Sequence, residues 1–128
     1  MDINMISWFE VPVANMERAQ KFYETVFGVQ TTVHDMGGVL MGLFPPAEDI
    51  TAPGISGALV QHSEYVPSAS DGPLLYFNSQ SGDLSDELER VVAAGGKILQ
   101  PKKLISNEIG YMAVVLDSEG NRIALYNK

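Results

Sequence analysis

The chain sets out nearly the same plan twice. Residues 4–62 read as a strand, a helix and further strands, and residues 73–127 repeat that order. The first copy has an alternating run at 6–13, a helical pattern at 16–27 and a stop at Gly28. The second has a short run at 74–78, a helical pattern at 84–94 and a stop at Gly95 and Gly96. These stops lie about half a chain apart. A solenoid needs several copies of a shorter unit, roughly 20–50 residues each, so the repeat is not of that kind. Two copies instead pack as one domain, residues 1–128, and a cleft between them is where a small molecule would bind.

Composition removes several function classes. With 128 residues and no Cys, the chain is large enough to bury a core without staples. It has no disulfide, no thiol nucleophile and no thiolate metal site. The net charge is −8, and the only adjoining basic pair is Lys102 and Lys103. Nucleic acid binding needs a basic face to neutralise phosphates, so it is not expected. The acidity favours solubility, and a cationic or neutral ligand over an anion. No apolar run approaches the roughly 20 residues that span a bilayer, so no membrane partner is expected. The first residues carry no basic segment of the secretory kind, and the expected location is the cytoplasm.

Each copy can be read in more detail. In the first strand Phe9, Val11 and Val13 point one way, and Trp8 and Glu10 the other. Asn15 suits a helix N-cap, and Met16, Ala19, Phe22, Tyr23, Val26 and Phe27 recur at helical spacing. A hairpin of 29–34 and 39–44 turns at Met36, Gly37 and Gly38, and a strand at 56–62 follows a Pro-rich loop at 45–54. Residues 63–72 link the copies. In the second copy Asp83 caps a helix with Leu84, Leu88, Val91 and Val92 on one face. Strands follow at 97–104, broken by Pro101, at 110–117 and at 121–126. The apolar alternates Phe9, Val11, Val13, Leu75, Phe77, Ile123 and Leu125 suit the face under the helices. The opposite set holds Trp8, Glu10, Leu74, Tyr76, Asn78, Arg122, Ala124 and Tyr126. Its mixed polarity and aromatic content suit a pocket wall.

Two segments resemble a known group. PVANMERAQKFYETVFG at 12–28 and LDSEGNRIALY at 116–126 resemble the opening and closing signatures of the vicinal oxygen chelate superfamily. That superfamily includes glyoxalase I, extradiol dioxygenases and bleomycin resistance proteins. AAGGKILQPKK at 93–103 adds a third match. The resemblance implies an α+β fold, with two βαβββ modules forming cupped mixed sheets around a central cavity, and a homodimer. It also implies a metal held by side chains of the first and last strands of each module. Carried over by position, those slots fall on Trp8, on Val60 or Gln61 with His62 beside them, on Leu74 and on Ala124. Trp, Leu and Ala offer a divalent ion no donor, and a catalytic metal usually has about three protein ligands. No metal and no other cofactor is therefore expected.

Two functions follow from that departure. The first is a metal-free protein that binds a small molecule through Trp8, Leu74, Tyr76, Asn78, Arg122, Ala124 and Tyr126. The second is a lyase, isomerase or dioxygenase of the same superfamily. It would use an atypical metal site at His62 or Gln61, or acid–base chemistry through Glu10, provided that a closed pocket dries the carboxylate. An accessory domain that docks on a partner protein is a third, weaker alternative. His34 and His62 are expected to cap or face solvent, and Met36, Met41 and Met112 to fill core.

Overall fold

The computed structural model describes residues 3–128, and the doubled plan is what it shows. The first module comprises β1 (Phe9–Pro12), α1 (Met16–Phe27), β2 (Thr32–Asp35), β3 (Leu40–Leu43) and β4 (Gly57–Gln61). The second comprises β5 (Tyr76–Asn78), α2 (Leu84–Val91), β6 (Lys97–Ser106), β7 (Gly110–Leu116) and β8 (Arg122–Asn127). The class is α+β. Each module makes one mixed four-stranded sheet, in the orders β1-β4-β3-β2 and β5-β8-β7-β6. In each, the first strand runs parallel to the last and the other pairings are antiparallel. None of the described helices is long and apolar enough to cross a membrane.

Local chemistry explains the helices. The Asn15 side chain accepts from the Arg18 amide at 3.0 Å, and Gly28 ends α1 at φ 67°. Only glycine adopts that left-handed conformation without strain. The six apolar residues expected to face inward on α1 are all buried. Asp83 caps α2 and accepts from the Ser85 amide at 2.9 Å. Lys102 also reaches that carboxylate, at 2.9 Å. The Lys102 bond first, and then the Ser85 amide, hold the Asp83 carboxyl at about 2.

The repeat extends to hydrogen bonds that the sequence pattern does not display. The Gln61 side-chain oxygen, at the end of β4, accepts from the Met16 amide at the start of α1, at 2.7 Å. The Asn127 side-chain oxygen, at the end of β8, accepts from the Leu84 amide at the start of α2, also at 2.7 Å. In both modules the last strand thus satisfies a backbone donor that the helix itself leaves free.

Register assigns the faces. Val11, Leu59 and Gly42 lie together under α1, and Leu125, Ala113 and Phe77 under α2. Residues from both helices and both sheets form a single buried cluster. Four details depart from the sequence reading. β1 starts at Phe9, where pairing with β4 begins, and Ile6 is left exposed. α2 ends at Val91, and Val92, its C-cap, is 63% exposed rather than on the buried face. Met36 sits at the hairpin turn beside Gly37 and is exposed rather than core. β6 runs through Pro101 to Ser106, because it is an edge strand that absorbs the missing donor through register shifts.

The modules are joined through the turn between β7 and β8. Asp117 is buried and accepts from the Tyr23 hydroxyl at 2.6 Å, the Glu119 amide at 2.8 Å, the Asn121 amide at 2.9 Å and the Asn121 side chain at 3.1 Å. Burial, reinforced by the Asp117 charge, raises the Tyr23 hydroxyl well above its usual value, so it remains a donor. Glu119 accepts from the Ala14 and Asn15 amides, both at 2.9 Å, and takes two bonds from the Arg18 guanidinium at 2.7 and 2.9 Å.

Burial pushes the Glu119 carboxyl up. Arg18, the two amides and the Ser118 hydroxyl together outweigh it and hold the group at about 2, against an ordinary 4.5. The folded value lies below the unfolded one, so the stabilisation is complete above pH 4.5 and fades as pH falls toward 2. Glu119→Gln is expected to lose about 2 kcal/mol near neutral pH, allowing for solvent around the half-exposed Arg18. Urea denaturation should show the gap between variant and parent closing through that acid window. A gap independent of pH would refute this account of the joint.

Candidate functional site

β1 and β5 are edge strands of their sheets and meet at the seam between the modules, where the Phe9 and Phe77 ring centroids are 5.5 Å apart. A cavity of about 410 Å³ opens at this seam. Its apolar wall is built from Phe9, Phe27, Phe44 and Phe77, with Ile6 and Ile55. The rings brace one another: Phe27–Phe77 at 5.3 Å, Phe9–Phe44 at 5.8 Å and Phe44–Phe77 at 5.9 Å. The segment after β3 closes one side with Pro45, Pro46 and Pro53. The volume lies at the lower end of the roughly 300–1,000 Å³ typical of small-molecule sites.

Among the described residues no charged side chain lines the cavity. Its polar side chains are Ser56, Tyr76, Asn78 and Gln80. The Ser56 hydroxyl donates to the Phe44 carbonyl, and the Gln80 side-chain nitrogen to the Asn78 carbonyl. The Asn78 amide and the Tyr76 hydroxyl have no protein partner among the described residues. Beside Asn78 runs Gly54, with φ 92°, where an added Cβ would stand 3.3 Å from the Asn78 side-chain nitrogen. A larger hollow, about 820 Å³, follows the outer surface of α1 past Arg18, Lys21 and Glu24. It is open helix surface with no converging groups, and carries no site.

The residues singled out from sequence fall into two groups. Tyr76 pairs with Ala124 and Asn78 with Tyr126, while Arg122 follows on the same strand face. These five therefore share the face of the second sheet that points away from the helices. Leu74 precedes β5 and is half-buried. Because β5 is an edge strand, the cavity wraps around it and meets Tyr76 and Asn78 as well as Leu75 and Phe77. Trp8 and Glu10 lie apart at the first sheet. The Trp8 indole donates to the Glu10 carboxylate at 3.3 Å, and Glu10 is exposed. The closed pocket that would dry Glu10 is not formed by this chain alone. Among the described residues Glu10 and Arg122 make no ion pair. The Tyr126 hydroxyl donates to the Ile109 carbonyl, and the Arg122 Nε is buried without a partner.

Sequence reasoning missed the four phenylalanines as a cavity wall. Phe9 and Phe77 fall on the alternation that packs under the helices, and Phe44 lies at a strand end. The signal was available in the Pro-rich loop that follows Phe44, since a loop of that length in a compact domain commonly serves a site.

The metal slots implied by the resemblance do not fit a metal. Glu10 and Ala58 share a register position, as do Pro12 and Val60, so the floor at β4 offers methyl groups. Gln61 faces the helix and its oxygen is committed to Met16. The His62 Nδ1 accepts from the Glu64 amide at 3.0 Å, and its ring stacks on Tyr65. No three His, Asp or Glu side chains converge among the described residues.

Comparison with known proteins decides the family. A family model for the glyoxalase/bleomycin resistance protein/dioxygenase superfamily matches residues 5–125. The chain belongs to that superfamily. No curated protein sequence matches it. A superfamily domain from Frankia sp. EAN1pec superposes with a TM-score of 0.74 at 14% identity, covering 98% of each chain. TnmS3, an antibiotic binding protein from Streptomyces sp. CB03234, gives 0.65 at 23% identity, covering 99% of this chain and 98% of its own. Glyoxalase I from Zea mays gives 0.68 at 18% identity over 94% of this chain, which spans only 44% of the maize chain. At these identities the likeness is one of fold.

The donor chemistry yields a prediction. Protein purified without chelator should contain well under one equivalent of Zn, Ni, Mn or Fe by elemental analysis. A stoichiometric ion lost on Gln61→Ala would overturn the placement of that side chain.

Proposed function

We propose that this superfamily member is a metal-free small-molecule binding protein, and that it acts as a homodimer. The seam cavity carries the reading: it is walled by aromatic rings, has a volume suited to a small ligand, and has one uncommitted amide at its edge. An antibiotic binding protein built on the same fold supports it. Tyr76 and Asn78 are the proposed contacts shared by the cavity and the outer sheet face. Leu74, Arg122, Ala124 and Tyr126 would join the site where a second copy covers that face, and Trp8 and Glu10 where the copy also covers the first sheet. Exposed apolar side chains support association with a second copy: Met5 is 85% exposed, Val66 75%, Ile6 61% and Tyr76 53%. Leaving a group of this kind in water is unfavourable, and covering it is what drives association.

Binding is favoured over acid–base catalysis through Glu10. The carboxylate is exposed, and among the described residues only the Trp8 indole holds it.

Two measurements test this reading. Screening a small-molecule library by protein-observed NMR should give hits that shift the amides of Phe44, Phe77 and Asn78. Hits that move only residues remote from the seam, or none at all, would count against the cavity as the site. Sedimentation at micromolar concentration should give a dimer, and Met5→Glu combined with Val66→Glu should dissociate it. A monomeric parent would remove the homodimer from the proposal.

A further inference from the structure

Resting on the binding role of the seam cavity, we infer the class of its ligand: a neutral, flat aromatic molecule bearing a carbonyl, with the rings of Phe9, Phe44 and Phe77 on the aromatic part and the Asn78 amide on the carbonyl oxygen. Three observations carry the inference.

The first is charge. None of the cavity residues is ionisable in the physiological range. An ion entering this site would give up its hydration and gain no counter-charge, which costs far more than the rings return. The net charge of −8 does not alter this, since exposed charges more than about 10 Å away are largely screened at ordinary ionic strength. The general preference for a cation expected from the acidity therefore gives way to a local preference for neutrality.

The second is shape. Phe9 meets Phe77 edge-on at 88°, and Phe44 meets Phe77 at 62°. Rings already tilted against one another present both faces and edges to a guest. A flat aromatic guest finds offset or edge contacts of about 0.5–1.5 kcal/mol each beyond its burial. A bulky aliphatic guest finds only the burial.

The third is the polar handle. Among the cavity's polar side chains, Ser56 and Gln80 are bonded internally, whereas the Asn78 amide and the Tyr76 hydroxyl make no bond among the described residues. The Asn78 nitrogen faces the backbone of Gly54, where no side chain intervenes. A carbonyl oxygen is the acceptor that an amide N–H takes at that position.

Four probes of matched size test this by isothermal calorimetry and NMR: 2-acetylnaphthalene, 2-ethylnaphthalene, 2-naphthoate and 2-naphthylmethylammonium. The ketone should bind about tenfold tighter than either ion. Asn78→Ala should weaken the ketone by about tenfold, the scale of one hydrogen bond, and leave 2-ethylnaphthalene unchanged. Asn78 is exposed at an edge strand, so the variant keeps its fold. If an ion binds as tightly as the ketone, or Asn78→Ala weakens both neutral probes equally, the ligand class is wrong while the cavity remains a binding site. If no probe shifts the Phe44 and Phe77 amides, the inference fails together with the binding role of the cavity.

Discussion

The two modules are held in register by a pair of carboxylates on one turn. Asp117 spends both oxygens on four donors, one from the first module and three from its own turn. Glu119 spends its oxygens on the backbone that opens α1 and on Arg18. A buried carboxylate without donors costs several kcal/mol, and one with every lone pair engaged fixes geometry. The turn therefore tolerates one placement of α1. Asn121 completes the clamp, with its side-chain nitrogen on the Pro12 carbonyl and its oxygen on the Ser68 amide of the linker. Once α1 is pinned there, its apolar face meets the second sheet as well as its own. Two modules that would each leave a face uncovered share one core instead.

That arrangement creates the seam. Joining the modules through α1 brings the edge strands β1 and β5 side by side without hydrogen-bonding them, and side chains must fill the gap. Here the filling is by phenylalanine rings, which pack edge to face and leave space between tilted planes. The chain that could fold into that space carries Pro45, Pro46 and Pro53, whose fixed φ angles limit collapse. A cavity at the seam is thus the result of joining two compact modules at a corner, with stiff groups on either side.

Much of this fold was legible in the residues. The helix bounds 16–27, the Asn15 and Asp83 caps and the Gly28 stop follow from local rules, and the structure reproduces them. The alternation of Val11, Val13, Ile123 and Leu125 gave the buried faces correctly, because strand period is local too. What failed was non-local. Ile6 continues the alternating pattern of β1, yet no partner strand reaches it, so it stays outside the sheet. Val92 keeps helical dihedrals as the C-cap of α2, yet the chain turns just after it toward Gly96, whose amide donates to the Val91 carbonyl at 2.9 Å, and its side chain is left in solvent. The face carrying Tyr76, Asn78, Ala124 and Tyr126 was legible from alternation. Its separation from Trp8 and Glu10 was not, since the relative placement of two sheets is written in no single segment. The cavity wall was hidden for the same reason: its four rings come from β1, α1, the end of β3 and β5.

The closing motif and the metal slots bear on one another through that geometry. In LDSEGNRIALY the acidic and amide side chains face the joint, where they hold α1, and the residues that follow alternate toward the opposite face. At the outer face stands Ala124, with a methyl group where a donor would project. Gln61 keeps a donor-capable side chain near the corresponding place in the first module, but on the helix side of its strand, as Asn127 does in the second. The polar side chains at the strand ends are therefore spent on helix starts, and those of the turn on the joint. Under the proposed binding role, recognition at the seam would be left to shape and to the Asn78 amide. Selectivity built that way discriminates charge sharply, through desolvation, and discriminates among neutral rings only by contact area and one hydrogen bond. Such a site suits a protein that holds a class of apolar molecules better than one that activates a single bond.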